Sequence, residues 1–146
     1  SWLPYYSRAD IYLSMGEHAK AIEDYERAYE INKEYPNLLN NFAWTLATST
    51  EASVRDGKRA VQLALEACEV SDYKKPHILS TLAAAYAESR DWNNARKWSQ
   101  KAVELADEDI KETLQKELEF YKKKKPWREN KAEERKENPK PKLQTI

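Results

Sequence analysis

The residues of this chain that most readily do chemistry are two histidines and one cysteine, and their positions do not suggest a shared site. His18 and His77 lie far apart in the sequence without paired ligands, so we expect no metal site. Cys68 has no histidine or acid placed to activate it, and a lone cysteine cannot form an intramolecular disulfide. Because Walker, dinucleotide and zinc-type spacings are also missing from the sequence, we expect no catalytic residue and no cofactor.

The composition is typical of a helical protein with large solvated faces. Charged residues make up 34% of the 146 residues, and only two are glycine, which argues against sheets with many tight turns. No apolar run approaches the roughly 18 residues that a membrane-spanning helix needs, so we expect no membrane partner. The single cysteine gives no reason to expect an oxidising compartment, and the cytoplasm is favoured.

Seven helical segments are predicted from apolar residues that recur at three- and four-residue spacing. They run over about 3–15, 19–32, 37–48, 58–70, 78–87 and 92–105, and from Asp109 to Pro126. Gly16, Pro36 and Pro76 separate successive helices, since glycine favours helix ends and proline is tolerated only in a first turn. Asp56 and Asp91 are the expected N-caps of the fourth and sixth helices.

Small residues recur along the chain in a way that indicates internal repetition. An alanine pair seven residues apart marks every second helix: Ala21 with Ala28, Ala60 with Ala67, and Ala95 with Ala102. The offset between pairs is 39 residues and then 35, a period that marks a helical repeat architecture. Alanine lets neighbouring helices approach closely, and several stacked helix pairs bury apolar faces that one pair alone leaves exposed.

These helix pairs resemble the tetratricopeptide repeat, a helix–turn–helix unit of about 34 residues, in its bacterial-type form. The matching residues are, repeat by repeat, Tyr5, Ala9, Tyr12, Gly16, Ala21, Tyr25, Ala28 and Ile31; Leu39, Phe42, Ala43, Leu46, Ala60, Ala64, Ala67 and Val70; and Leu79, Leu82, Ala83, Tyr86, Trp92, Ala95, Ala102 and Leu105. The chain departs from the family at Arg8, where leucine is usual. It also departs at Ala64 and Ser99, where aromatic residues are usual, and in its long turn 49–57.

The resemblance implies an all-α fold, a right-handed α-solenoid of three helix-turn-helix repeats plus a C-terminal capping helix. The expected divisions are repeats at 2–35, 36–75 (with the lengthened turn 49–57) and 76–109, a capping helix at 110–127, and a basic extended tail at 128–146. The first helices of the repeats are expected to line a concave groove. Such a groove is a surface on which a partner protein or extended peptide binds.

The groove positions that the resemblance implies are mostly neutral and polar. The candidate partner-binding residues are Tyr6, Asp10, Asn37, Asn40, Asn41, Trp44, His77 and Thr81. Asparagine both donates and accepts hydrogen bonds, so it can hold the main chain of a peptide of any sequence. Trp44 adds a large apolar face and one N–H donor. Two alternatives stay open: Asn37 caps its helix, and Trp44 packs between adjacent repeats. The clamp with which some family members bind C-terminal carboxylates is not expected, since only Asn41 matches it.

The C-terminal tail differs in charge from the rest of the chain. Residues 122–146 hold ten lysines and arginines against four glutamates, a net charge of +6, and residues 1–121 hold fifteen against twenty-one, a net charge of −6. Lysines and Trp127 are able to bind phosphate and stack on a base, but interspersed glutamates favour a solvated helix end, so nucleic acid is not the expected partner. A third hypothesis is that the tail, or its copy in a neighbouring chain, docks on the repeats.

Two functions follow as predictions. The first is a protein–protein interaction module that binds its partner in the groove. The alternative is a self-assembly unit, a homo-oligomer that uses the groove, the open end of the stack or the tail. We do not expect an enzyme.

Overall fold

The architecture is helical throughout the part of the chain that the computed structural model describes, residues 1–129. The helices in that range are α1 (Leu3–Ser14), α2 (His18–Ile31), α3 (Pro36–Thr48), α4 (Gly57–Val70), α5 (Pro76–Glu88), α6 (Trp92–Leu105) and α7 (Glu108–Lys122). No strand is present within residues 1–129, and the predicted all-α class is confirmed.

The helices pack in consecutive pairs, α1 with α2, α3 with α4, and α5 with α6, and each pair packs on the next. All six alanines of the three repeated pairs are at most 1% exposed, as expected of residues where helices meet closely. Helix α7 packs against α6, and its Tyr121 joins a small apolar cluster with Ala83 and Ala87 of α5. The predicted solenoid of stacked helices is therefore confirmed. Its right-handed sense and the limits of its repeats stay predictions.

Arg8, which replaces the leucine usual in the family, forms a two-pronged ion pair with the buried Asp24 of α2. The Arg8 Nε lies 2.7 Å from one carboxylate oxygen of Asp24, and a terminal nitrogen lies 2.9 Å from the other. A buried carboxylate without a partner lowers the stability of the fold, and Arg8 supplies the partner that the buried Asp24 requires.

Helices α1, α5 and α7 end in the same way. In each, a residue with left-handed backbone follows the helix: Gly16 (φ +81°), Arg90 (φ +63°) and Lys124 (φ +58°). The amide of that residue and the next amide then donate to carbonyls of the last helical turn, at distances of 2.9–3.1 Å. This is the Schellman motif, which satisfies carbonyls that a helix end otherwise leaves without partners.

The C-terminal end of α7 differs from the prediction. The sequence predicts that this helix extends to Pro126, but it ends at Lys122. Lys124 turns the chain into the left-handed region, and Lys125 precedes a proline, where helical backbone is disfavoured. The chain therefore leaves the helix before the proline and turns back toward α3 and α5.

Helix α3 has no such motif. Ser49 follows it with ψ 140°, and the long connection leads to α4. The predicted N-caps of α4 and α6 are confirmed, since Asp56 accepts from the Arg59 amide (3.0 Å) and Asp91 accepts from the Asn94 amide (3.2 Å). Gly57 lies so close to the end of α5 that an added Cβ would be 2.7 Å from the Ser89 Oγ. The connection is thus held tightly against α5.

Candidate functional site

Four of the predicted site residues form one hydrogen-bond network where α1 meets α3. The Asn41 Nδ2 donates to the Tyr6 hydroxyl and to the Asp10 Oδ1, both at 3.3 Å, and the Asn40 Nδ2 donates to the Asn41 Oδ1 at 3.3 Å. Tyr25 of α2 donates to the same Asp10 oxygen at 2.5 Å. Burial, and then the negative charge of Asp10, raise the pKa of Tyr6 and of Tyr25 well above its usual range. Both phenols therefore stay protonated at neutral pH.

The other polar predicted residues lie on α3 and α5 near the starts of these helices. Asn37 and His77 line a cleft of about 420 Å³ whose other walls are Tyr35, Pro36, Val70, Ser71, Lys75 and Ile78. Thr81 is buried, and its hydroxyl donates to the His77 carbonyl at 3.0 Å. The alternative that Asn37 caps its helix is wrong: the N-cap of α3 is Tyr35, which makes no side-chain cap bond. Pro36 begins the helix and so places Asn37 inside its first turn.

Trp44 serves two purposes at once. It is 2% exposed, and its ring packs in the main apolar core. Its indole N–H donates to the Glu129 Oε2 at 2.5 Å. The packing alternative describes the ring, and partner binding by Trp44 stays a prediction.

The partner of Trp44 belongs to residues 125–129, which we call the crossing segment because they leave α7 and pass over the ends of α3 and α5. The segment is anchored by its main chain, as the Glu129 amide donates to the Thr48 carbonyl at 2.7 Å. Its Trp127 ring contacts the Phe120 ring edge-on, with centroids 4.9 Å apart. Residues 128 and 129 of the predicted tail thus lie on the helices, and docking of the tail as a whole stays a prediction. Residues 130–146 lie outside the described part of the chain.

Arg128 of the crossing segment is held by the end of α5. A terminal nitrogen of Arg128 lies 2.8 Å from the Glu88 Oε1 and 3.5 Å from the Ala47 carbonyl. The other Glu88 oxygen accepts from Arg55 at 3.3 Å, and Arg55 also donates to the Ser49 carbonyl at 2.7 Å. Burial lowers the pKa of Arg128, and Glu88 acts against that shift. Arginine still carries its full charge in proteins, so Glu88 joins two cations.

The open end of α3 explains why the segment lies there. The last carbonyls of a helix need partners from outside it, and in α3 no Schellman motif supplies them. The Leu46 carbonyl accepts from the Asp56 amide, while those of Ala47 and Thr48 accept from the crossing segment. The negative end of the helix dipole also favours the cation of Arg128.

Sequence reasoning missed three residues of this site: Thr48, Arg55 and Glu88. The lengthened turn is part of the predicted repeat pattern, and it carries the signal, because Ser49 enters it with extended backbone (ψ 140°) and no left-handed residue turns the next amides back onto α3. Which residue of α5 would meet Arg55 depends on how the two helices pack, and local sequence patterns do not contain that information.

Burial determines the protonation state of the Cys68 thiol. Cys68 is buried, and burial raises the pKa of its thiol to about 12, so the thiolate is scarce at neutral pH.

Within residues 1–129, no three His, Cys, Asp or Glu side chains are grouped as a metal site would require. In the same range, no helix combines the length and the apolar character needed to cross a bilayer.

Two comparisons with known proteins bear on the fold. The sequence model of the tetratricopeptide repeat matches residues 3–35, which contain α1 and α2. The structure is similar to the crystal structure of the Sgt2 TPR domain from Aspergillus fumigatus, with a TM-score of 0.69 and 23% sequence identity over 99% of this chain and 87% of that one. At this identity the likeness speaks for the fold alone. The expected bacterial type stays a prediction.

Proposed function

We propose that the surface shared by α1, α3 and α5, the first-helix face, binds an extended segment of a partner protein, because residues 3–35 match the tetratricopeptide repeat and the fold is that of a TPR domain. One observation carries the proposal: the crossing segment already lies on this face. It is held there through its main chain at Thr48 and through two side chains of opposite charge. A surface that holds one stretch of chain in this way suits another of similar chemistry.

The polar network between α1 and α3 supports an extension of the site beyond the crossing segment. Tyr6, Asn40 and Asn41 are buried and hold one another and the Asp10 carboxylate in place, and Asp10 is the member that is partly exposed. We propose that the network orients this carboxylate to accept from main-chain amides of the partner segment. Asn37, His77 and Thr81, which lie toward the starts of α3 and α5, are proposed as more distant parts of the same surface.

Affinity capture with the full chain tests the proposal. Trp44→Phe keeps an aromatic ring in the core and removes the N–H donor, and Asn41→Ala removes the amide of the network. Both variants are expected to lose most of a partner that the unaltered chain captures from a lysate of its source. Trp98→Phe, a change of the same kind on α6, is the matched control and should retain it. Equal capture by all four proteins would contradict binding at the first-helix face.

We propose no enzymatic activity for the chain, since the buried, protonated Cys68 is unsuited to nucleophilic attack. A cytoplasmic location stays a prediction.

Self-assembly is a second candidate, favoured by the outer side of α1. Leu3, Ile11 and Met15 recur there at multiples of four residues and are 38%, 59% and 66% exposed. Exposed apolar side chains on one helix stripe are a common contact between chains. Light scattering over a range of concentrations tests this candidate: a dimer that Ile11→Glu dissociates would support it, and a monomer at all concentrations would exclude it.

A further inference from the structure

The crossing segment presents two side chains of opposite charge to two different helices. Arg128 reaches Glu88 of α5, with 2.8 Å between nitrogen and oxygen. Glu129 accepts the Trp44 N–H of α3, and its own amide donates to Thr48. The main-chain bond fixes the segment along its length, so the site distinguishes which of two consecutive positions carries which charge.

The reverse order of charges fits poorly. An acidic side chain at the first position would lose the ion pair and lie beside the Glu88 carboxylate, which then keeps Arg55 as its partner. A basic side chain at the second position would meet an indole N–H that can only donate. Both contacts change from attractive to unfavourable, although composition and net charge stay the same. Discrimination of this kind needs a repulsive contact as well as an attractive one, and this site supplies both.

We propose that the first-helix face recognises a partner segment in which a basic residue is followed directly by an acidic one. The chain's own Arg128 and Glu129 occupy that site until the partner displaces them. This inference rests on the proposed function and adds the chemistry of the partner and a means of regulation. The proposed occupant is a segment of another protein, not of a second copy of this chain.

The short connection to α7 favours binding of the chain's own crossing segment over binding of a free peptide. A segment tethered a few residues from its site has an effective concentration of about 1 mM. If the free segment binds with a dissociation constant of about 0.1 mM, the tether lowers the apparent affinity of a competing peptide about tenfold. Loosening the crossing segment should therefore strengthen binding from outside by about that factor.

Fluorescence anisotropy with a defined peptide tests the inference. The probe is Lys-Lys-Lys-Pro-Trp-Arg-Glu, the sequence of residues 123–129, labelled at its N-terminus. The control probe, Lys-Lys-Lys-Pro-Trp-Glu-Arg, has the same composition and the reverse order. The receptors are the full chain, the full chain with Arg128→Ala and Glu129→Ala, and the full chain with Glu129→Ala alone. Thermal unfolding checks that each receptor remains folded.

We call the two receptors with a substituted crossing segment the released receptors. The first probe should bind each of them about tenfold more tightly than it binds the unaltered chain. It should also bind them at least tenfold more tightly than the control probe binds them. Adding Trp44→Phe to a released receptor should remove this gain. Equal binding to the unaltered and released chains would overturn the regulation, and equal binding of both probes would overturn the charge order. A released chain that dimerises as its concentration rises would assign the site to a second copy. If any of these results appears while Trp44→Phe still abolishes partner capture, the inference fails and the proposed function stands.

Discussion

Helix α3 ends differently from α1 and α5, although all three are the first helices of their pairs. The ends of α1 and α5 are closed by left-handed residues whose following amides turn back onto the helix. The end of α3 runs on into the long connection, and its last carbonyls accept from Asp56 and from the crossing segment. A closed helix end satisfies itself, whereas an open one binds another stretch of chain.

The difference indicates where a regular stack gains a specific function. Each of the three helix pairs buries its small residues at helix contacts to the same extent. The lengthened turn departs from that pattern: it contributes Arg55, and it leaves the last carbonyls of α3 open to other partners. We therefore expect perturbations of the closed parts to change stability alone, and perturbations of the α3 end to change what the surface holds.

Raising the pH should have the largest effect, and it acts on buried phenols away from the end of α3. Tyr6, Tyr25 and Tyr121 are buried with pKa values above their usual range, mainly because of burial. Above about pH 10 the unfolded chain loses these protons and the folded chain keeps them, so stability that is complete below pH 10 falls as the pH rises. Each tyrosine contributes a slope of about 1.4 kcal/mol per pH unit.

Denaturant unfolding at pH 9, 10 and 11 measures this slope. Tyr121→Phe should reduce it by about 1.4 kcal/mol per pH unit above pH 10, while Trp44→Phe should leave it unchanged, since the α3 end adds no buried phenol. An unaltered slope in Tyr121→Phe would mean that this hydroxyl ionises as readily in the folded protein as in the unfolded one.

Gly57→Ala tests how tightly the long connection is held against α5. The new Cβ would lie 2.7 Å from the Ser89 Oγ and 3.0 Å from two backbone atoms at the end of α5, so the helices must separate. We expect a loss of about 2 kcal/mol in the free energy of unfolding, by analogy with other overpacked sites. Chemical denaturation measures the loss.

Gly16→Ala is the matched change at a closed end. Here no atom lies within 4 Å of the added Cβ, and the cost comes only from the left-handed backbone, φ +81°. We expect about 1 kcal/mol. A larger loss at Gly16 than at Gly57 would contradict the close approach of the connection to α5.

Lys124→Gly should have the smallest effect, and in the opposite direction. Lys124 adopts φ +58° in the closed end of α7, a conformation that glycine adopts without strain. A gain of about 0.5 kcal/mol in the free energy of unfolding is expected. A loss instead would show that the lysine side chain contributes more at this position than its backbone strain costs.

Sequence patterns were sufficient for most of the fold. The apolar spacing and the alanine pairs predicted the helices, since both reflect packing that repeats locally along the chain. The N-caps at Asp56 and Asp91 were predicted because a cap depends on a few neighbouring residues. The end of α7 was misjudged at Pro126, because a left-handed lysine closes the helix earlier and no residue type signals that choice.

The candidate site was predictable only in part. Trp44 was identified from its place in the resemblance, and its N–H does meet a polar partner. That partner, Glu129, is 85 residues away along the chain. Glu88 and Thr48 matter because of where α7 directs the crossing segment. Such long-range contacts are set by the packing of whole helices and leave no local pattern in the sequence.

Amide hydrogen exchange of Glu129 tests the central claim most directly, because the bond from this amide to Thr48 anchors the crossing segment at the open end of α3. In the full chain at neutral pH we predict that the Glu129 amide exchanges at least about tenfold more slowly than in an unstructured peptide. Trp44→Phe should accelerate it and leave the amides within α7 unchanged. Exchange of Glu129 at the unstructured rate in the unaltered chain would contradict the claim.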